Sequence, residues 1–121
     1  MVISDIAESG LTICQIGAAG LQIPDDSHLD AVQLLACALG SCTWATLATY
    51  GQRFDTSADD IEIKVRWALG DGPKRVATMS LDLSWPSLPE SRLDAATRAA
   101  RHCTIHATLT HGCEVDAFVD Q

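Results

Sequence analysis

The stretch LDAVQLLACALGSCTWATLATY, from Leu29 to Tyr50, decides the fold of this chain. It holds one glycine, Gly40, no proline, and otherwise consists almost entirely of residues such as Ala, Leu, Cys and Thr. A run of this length and composition predicts a long α-helix with almost no polar face. Such a helix must be covered on most of its sides. Because a chain of 121 residues cannot easily supply that cover alone, we expect a homodimer with this helix near its centre.

The composition limits the classes of protein and of partner. With 121 residues, 47% of them hydrophobic, the chain fits a single domain spanning residues 1–121. Its net charge is −8, and no Lys or Arg precedes Arg53, which argues against nucleic acid and anionic membrane as partners. We see no leader and no apolar run near the roughly 20 residues that span a bilayer. Five cysteines without the spacing of a disulfide scaffold fit a reducing compartment, so we predict a cytoplasmic protein.

Short strands precede the long helix, and a β-hairpin follows it. Residues 2–23 form short apolar runs, which are broken at Ser9-Gly10 and at Gly17-Ala18-Ala19-Gly20. This pattern is typical of a small meander of strands. Residues 60–69 alternate apolar and polar side chains without a slip, which indicates a half-buried strand. After the turn at Gly70-Asp71-Gly72-Pro73, residues 77–85 repeat the same alternation. The two segments predict a hairpin.

A second helix and a last strand complete the predicted fold. Ser87 and Glu90 have the spacing of a capping box and predict a helix start. The apolar face of this second helix comprises Leu93, Ala96, Ala100 and Cys103. After Gly112, the alternating segment Cys113–Val119 predicts a final strand. The fold class is therefore α+β: short N-terminal strands, a long central helix, a β-hairpin, a second helix and a final strand, with the helices against one face of the sheet.

Two thiols lie on apolar faces of the two predicted helices. Cys42 lies in the long helix, and Cys103 lies on the core face of the second. If both helices pack in one core, the two side chains can face one another. The alternative is that both are small buried hydrophobic residues, which is the commoner role of a cysteine in a core helix.

The sequence around these thiols resembles the OsmC/Ohr family. The resemblance rests on Leu34–Thr43, which reads LLACALGSCT, and on Cys103–Leu109, which reads CTIHATL. Members of that family typically carry a Ser/Ala-Cys-Thr run in a central helix and a Cys-Pro-x-His-x-Thr-Leu run in a second helix. The order of elements in the family agrees with the order predicted above.

The resemblance implies a thiol peroxidase. Cys42 matches the cysteine that attacks an organic hydroperoxide and becomes a sulfenic acid, and Cys103 matches the resolving cysteine that condenses with it to a disulfide. An external dithiol, a lipoyl protein in some members, then reduces the disulfide. The family also implies an intertwined homodimer with active sites at the interface, and no metal or bound redox cofactor.

The chain departs from the family pattern at three places. Family members place an Arg from the N-terminal strands beside the reactive cysteine and a Glu ten residues before it, whereas here that position is Val32 and residues 1–52 hold no Arg or Lys. The candidate replacements are Arg53, Arg66, Arg75 and Arg101. Thr104 replaces the family's proline, so we expect the second helix to continue past it. These departures favour an alternative, a non-catalytic dimer that binds a small hydrophobic ligand or a partner.

The remaining cysteines and histidines suggest no further chemistry. His102 and His106 have the spacing for metal ligands on one helical turn, but no second cluster completes a tetrahedral set, and we expect no metal site. Cys14, Cys37 and Cys113 are expected to be buried filler.

Overall fold

The computed structural model describes the backbone of residues 2–7, 10–17 and 20–22 and all atoms of residues 29–121. Five strands and three helices follow one another along these residues. The elements are β1 (Val2–Ala7), β2 (Gly10–Gly17), β3 (Gly20–Gln22), α1 (Ala31–Gln52), β4 (Glu62–Gly70), β5 (Arg75–Ser84), α2 (Leu93–Ala100) and α3 (Thr104–His111). The α+β class, the N-terminal strands, the long central helix and the hairpin are confirmed.

The five strands form one sheet in the order β3-β2-β1-β4-β5. Neighbouring strands run antiparallel except β1 and β4, which are parallel in the register Val2 opposite Glu62. Parallel neighbours need a long connection between them, and α1 lies within that connection. The central helix is therefore placed against the sheet by the topology itself.

The core lies between one face of β4 and the inner face of α1. Ile61, Ile63 and Val65 are at most 1% exposed, which confirms the alternation predicted from the sequence. Ala36 and Leu47 of α1 belong to the same apolar cluster. The alternation does not hold to the end of the hairpin, because Leu69 is 48% exposed near the turn.

A capping box is found at the start of α1 and not at the second predicted helix. Asp30 accepts from the Gln33 N–H at 2.8 Å, and the Gln33 side chain accepts from the Asp30 N–H at 2.8 Å, so α1 has the reciprocal pair. The predicted box at Ser87 and Glu90 is wrong. The Ser87 hydroxyl and N–H both donate to the Asp60 carboxylate, which ties the end of the hairpin to the start of β4 instead.

The second helix breaks at Cys103. It forms two helices, α2 and α3, after a single 3-10 turn at Glu90–Arg92. The expectation that it continues past Thr104 is therefore wrong. Cys103 has an extended backbone with φ −74° and ψ 149°, which stops one helix and starts the next without a proline.

The predicted final strand is absent. Residues 112–121 form neither helix nor strand, and none of the described strands pairs with them. A strand requires a neighbouring backbone to accept its hydrogen bonds, and none of the strands that the structure describes provides one for this segment. Val115, Phe118 and Val119 are between 82% and 98% exposed. Cys113 is exposed too, so its prediction as buried filler is wrong.

α1 has the predicted length but is apolar enough to meet the criterion for a membrane span. By length and composition alone its 22 residues could cross a membrane, which corrects the expectation that no such run exists. Its contacts with the sheet and with α2 and α3 account for the apolar inner face, as in the core helix of a globular protein. Its outer face is only partly covered, with Leu34 46% exposed.

Candidate functional site

The candidate site brings together Cys42 and Cys103, as expected for the two thiols. α1 carries Cys42 near its middle, and Cys103 lies at the break between α2 and α3. The two thiols are close enough that Cys42 raises the pKa of the Cys103 thiol, and both are reduced. Cys103 is only 1% exposed, whereas Cys42 is partly exposed. The pair therefore has one thiol that solvent can reach and one enclosed in the core.

The Cys103 sulfur is held from two sides. As N-cap of α3, it accepts a hydrogen bond from the His106 backbone N–H at 3.2 Å. On the other side, the Thr43 hydroxyl of α1 lies 3.7 Å from it. That hydroxyl also donates to the Leu39 carbonyl at 2.8 Å. The sulfur is thus fixed between α1 and α3.

The electrostatics of Cys103 favour its protonated form. Burial raises the pKa of the Cys103 thiol, because the thiolate is the form that loses hydration. The His106 N–H and the Thr43 hydroxyl lower that pKa, while the neighbouring Cys42 raises it through both a hydrogen bond and charge. The net direction is upward. Cys103 therefore keeps its proton at neutral pH and has an S–H to donate.

The structure shows no Lys or Arg of residues 29–121 bonded to the thiol pair. All eight Lys and Arg residues belong to the fully described range 29–121, and none of them forms a hydrogen bond or ion pair with either thiol there. Arg66 pairs with the Asp82 carboxylate across the hairpin. Arg75 donates to the backbone carbonyls of Asp71 and Pro73. Arg53 and Arg101 are exposed, and neither forms a hydrogen bond with a thiol, although Arg101 lines the cavity that contains Leu39 and His106.

An apolar groove shares its neighbours Leu39 and His106 with the thiol site, although neither thiol lines it. Its volume is about 540 Å³, and it lies between α1, β5 and α3 with Leu35, Leu39, Met79, His106 and Leu109 among its lining residues. A second cavity of about 350 Å³ shares Leu39, Met79 and His106 with it. Leu39 and His106 are also the residues whose backbones bond the Thr43 hydroxyl and the Cys103 sulfur. The groove wall and the thiol site are therefore continuous.

The histidines do not gather into a metal site. Among the residues that the structure describes, no group of three His, Cys, Asp or Glu side chains could hold a metal ion. His106 lines the groove, whereas His102 lines a separate cleft with Arg53 and Tyr50. Cys37 is buried in the core, as predicted, and the side chain of Cys14 lies outside the described part of the chain.

The fold and the site define a class: an α+β protein with a reduced thiol pair between its helices, beside an apolar groove. The model of the OsmC-like protein family matches residues 24–117, which is most of the chain. The chain therefore belongs to the OsmC-like family, and the resemblance seen in the sequence is confirmed. Neither a curated protein nor a solved structure matched the chain significantly.

Thr43 is the site residue that sequence reasoning missed. It is the last residue of the first motif, it is fully buried, and its hydroxyl contacts the Cys103 sulfur of the second motif. Its position in the sequence does indicate burial, because Thr43 directly follows Cys42. Successive residues of a helix differ by about 100° in direction, so Thr43 can face the core while Cys42 stays near the surface. The role of Thr43 depends on its contact with Cys103, sixty residues further along the chain, which the local sequence does not show.

Proposed function

We propose that this protein is a thiol-dependent hydroperoxide reductase in which Cys42 is the nucleophile and Cys103 the resolving thiol. The observation that supports it is the proximity of a partly exposed and a buried thiol, next to Leu39 and His106, which line an apolar groove. The protonated Cys103 can donate its S–H to the Cys42 sulfur.

The chemistry takes two steps. The Cys42 thiolate attacks the distal oxygen of an organic hydroperoxide, the O–O bond breaks, and the alkoxide takes up a proton and leaves as an alcohol. Cys42 is now a sulfenic acid. The Cys103 sulfur then attacks the Cys42 sulfur, the S–O bond breaks, and water leaves with the proton of the Cys103 thiol. The product is a Cys42–Cys103 disulfide.

The cycle needs an external reductant. A small dithiol or a dithiol carrier such as a lipoyl protein returns the disulfide to two thiols and is itself oxidised to a disulfide. The proposed substrate is an organic hydroperoxide whose apolar part lies in the groove. We place this chemistry in a cytoplasmic homodimer of single-domain protomers, without metal or bound cofactor. A partner subunit would cover the outer face of α1, where Leu34 is 46% exposed.

A second candidate function is binding of a small hydrophobic ligand without catalysis. The absence of a cation beside the thiols in the described protomer favours it, since a thiol of ordinary pKa is only a few per cent thiolate at neutral pH. Both candidates use the same groove, but only the first consumes peroxide.

Peroxide consumption by matched variants separates the two candidates. Reduced wild type, Cys42→Ser, Cys103→Ser and Cys113→Ser are each given cumene hydroperoxide and excess dithiol. Cys113→Ser is the control, because Cys113 is exposed in the tail. We expect turnover by wild type and Cys113→Ser and none by Cys42→Ser. Equal consumption by Cys42→Ser and wild type would remove the reductase and leave the ligand-binding protein.

A further inference from the structure

Thr43 gives the thiol pair a polar partner inside the core. It is 0% exposed, its hydroxyl donates to the Leu39 carbonyl at 2.8 Å, and the same oxygen lies 3.7 Å from the Cys103 sulfur. A hydroxyl has one proton. While that proton is given to Leu39, it is not available to the Cys103 sulfur, so the neutral thiol gains no hydrogen bond donated by Thr43.

We propose that Thr43 is a positioning residue that holds Cys103 for disulfide closure, and that its hydroxyl turns from Leu39 to the Cys103 sulfur when that thiol ionises. This role rests on the proposed reductase. This rotation of the hydroxyl costs little free energy, because the Leu39 carbonyl keeps the backbone hydrogen bond from the Thr43 N–H within α1. No buried acceptor is left without a partner.

The ionised Cys103 then has two donors on opposite sides. The His106 N–H comes from the start of α3 and the Thr43 hydroxyl from α1, so the sulfur stays in place as its charge develops. The titratable group facing it is Cys42 on α1, and His106 reaches it through its backbone alone. Of the two donors, only the one from Thr43 can be removed by changing a side chain.

The first test measures Cys103 without any peroxide. In a Cys42→Ser background, the alkylation of Cys103 by iodoacetamide is followed against pH by peptide mapping. Thr43→Val keeps the shape and loses the hydroxyl, Thr43→Ser keeps the hydroxyl, and Thr49→Val removes a similar hydroxyl bond to the carbonyl four residues earlier on the same helix. We expect the midpoint to move to higher pH in Thr43→Val alone. Identical profiles for all four proteins would overturn the proposal.

The second test follows the closure step in proteins that retain Cys42. After one equivalent of cumene hydroperoxide, the sulfenic acid is trapped with dimedone as a function of time. Removing a hydrogen bond to a charged group predicts closure about tenfold slower in Thr43→Val, with rates near wild type in Thr43→Ser and Thr49→Val. Closure at the wild-type rate in Thr43→Val would overturn the role of Thr43.

The two tests distinguish a failure of the proposed role of Thr43 from a failure of the proposed reductase activity. If no variant forms a sulfenic acid, the reductase fails, and the alkylation profile alone decides whether Thr43 holds Cys103. If Thr43→Val does not fold, Thr43→Ala replaces it with the same expectations. An upward midpoint in either variant supports the proposal, and an unchanged midpoint in a folded variant overturns it.

Discussion

The hydroxyl oxygen of Thr43 lies 3.7 Å from the sulfur of Cys103, across sixty residues of chain. The contact joins the central helix to the point where the second helix breaks. Because Cys42 is adjacent to Thr43 and touches Cys103 as well, the thiol pair is held by packing between helices and needs no movement of the backbone to meet. The contact between the thiols is therefore a property of the folded protomer.

The raised pKa of Cys103 predicts a loss of stability at alkaline pH. Below about pH 8.5 both the folded and the unfolded chain hold this proton. Above it, the unfolded chain releases the proton while the folded protein keeps it, so the free energy of unfolding falls as pH rises, until the folded pKa is passed. Urea denaturation between pH 7 and 10 measures this free energy for the wild type and for Cys103→Ser, which has no thiol to titrate at this position. Parallel stability curves for the two proteins would contradict it.

The inner face of α1 predicts strong sensitivity to charge. Ala36 is 1% exposed in the apolar cluster, so Ala36→Asp buries a carboxylate without a partner. We expect a loss of about 3 kcal/mol or more in the free energy of unfolding. Ala107→Asp is the control, since Ala107 is exposed on α3. Similar urea midpoints for the two variants would show that α1 is packed differently.

The groove predicts binding of apolar molecules at one place. Leu109 and Leu93 are 42% and 49% exposed, but only Leu109 lines the groove. Leu109→Asp places a charge against the bound molecule and should weaken binding of Nile red about tenfold, while Leu93→Asp should bind as wild type does. Fluorescence titration measures both. Equal losses in the two variants would place the binding surface elsewhere.

The parts of the fold that could be predicted from the sequence are those with a strong period. α1 and β4 bury one side of a regular pattern, and Ile61, Ile63 and Val65 lie in the core as their alternation requires. The segment Cys113–Val119 has the same alternation and forms no strand, because pairing depends on a neighbouring backbone that the pattern cannot supply.

The candidate site was predictable in its thiols and not in their surroundings. The motifs around Cys42 and Cys103 pointed to both residues, and the structure brings them into contact. No proline marks the helix break at Cys103 in the sequence. The capping role of this cysteine depends on its hydrogen bond from the His106 N–H. The role of Thr43 depends on a contact across sixty residues, and local pattern carries no information on such contacts.

The most direct test of the proposed cycle is a thiol count with peptide mapping after a single oxidation. Fully reduced protein is treated with one equivalent of cumene hydroperoxide and no reductant. The account predicts that two of the five thiols are lost and that the peptides carrying Cys42 and Cys103 become linked. An unchanged thiol count, or a disulfide that joins any other pair, would contradict it.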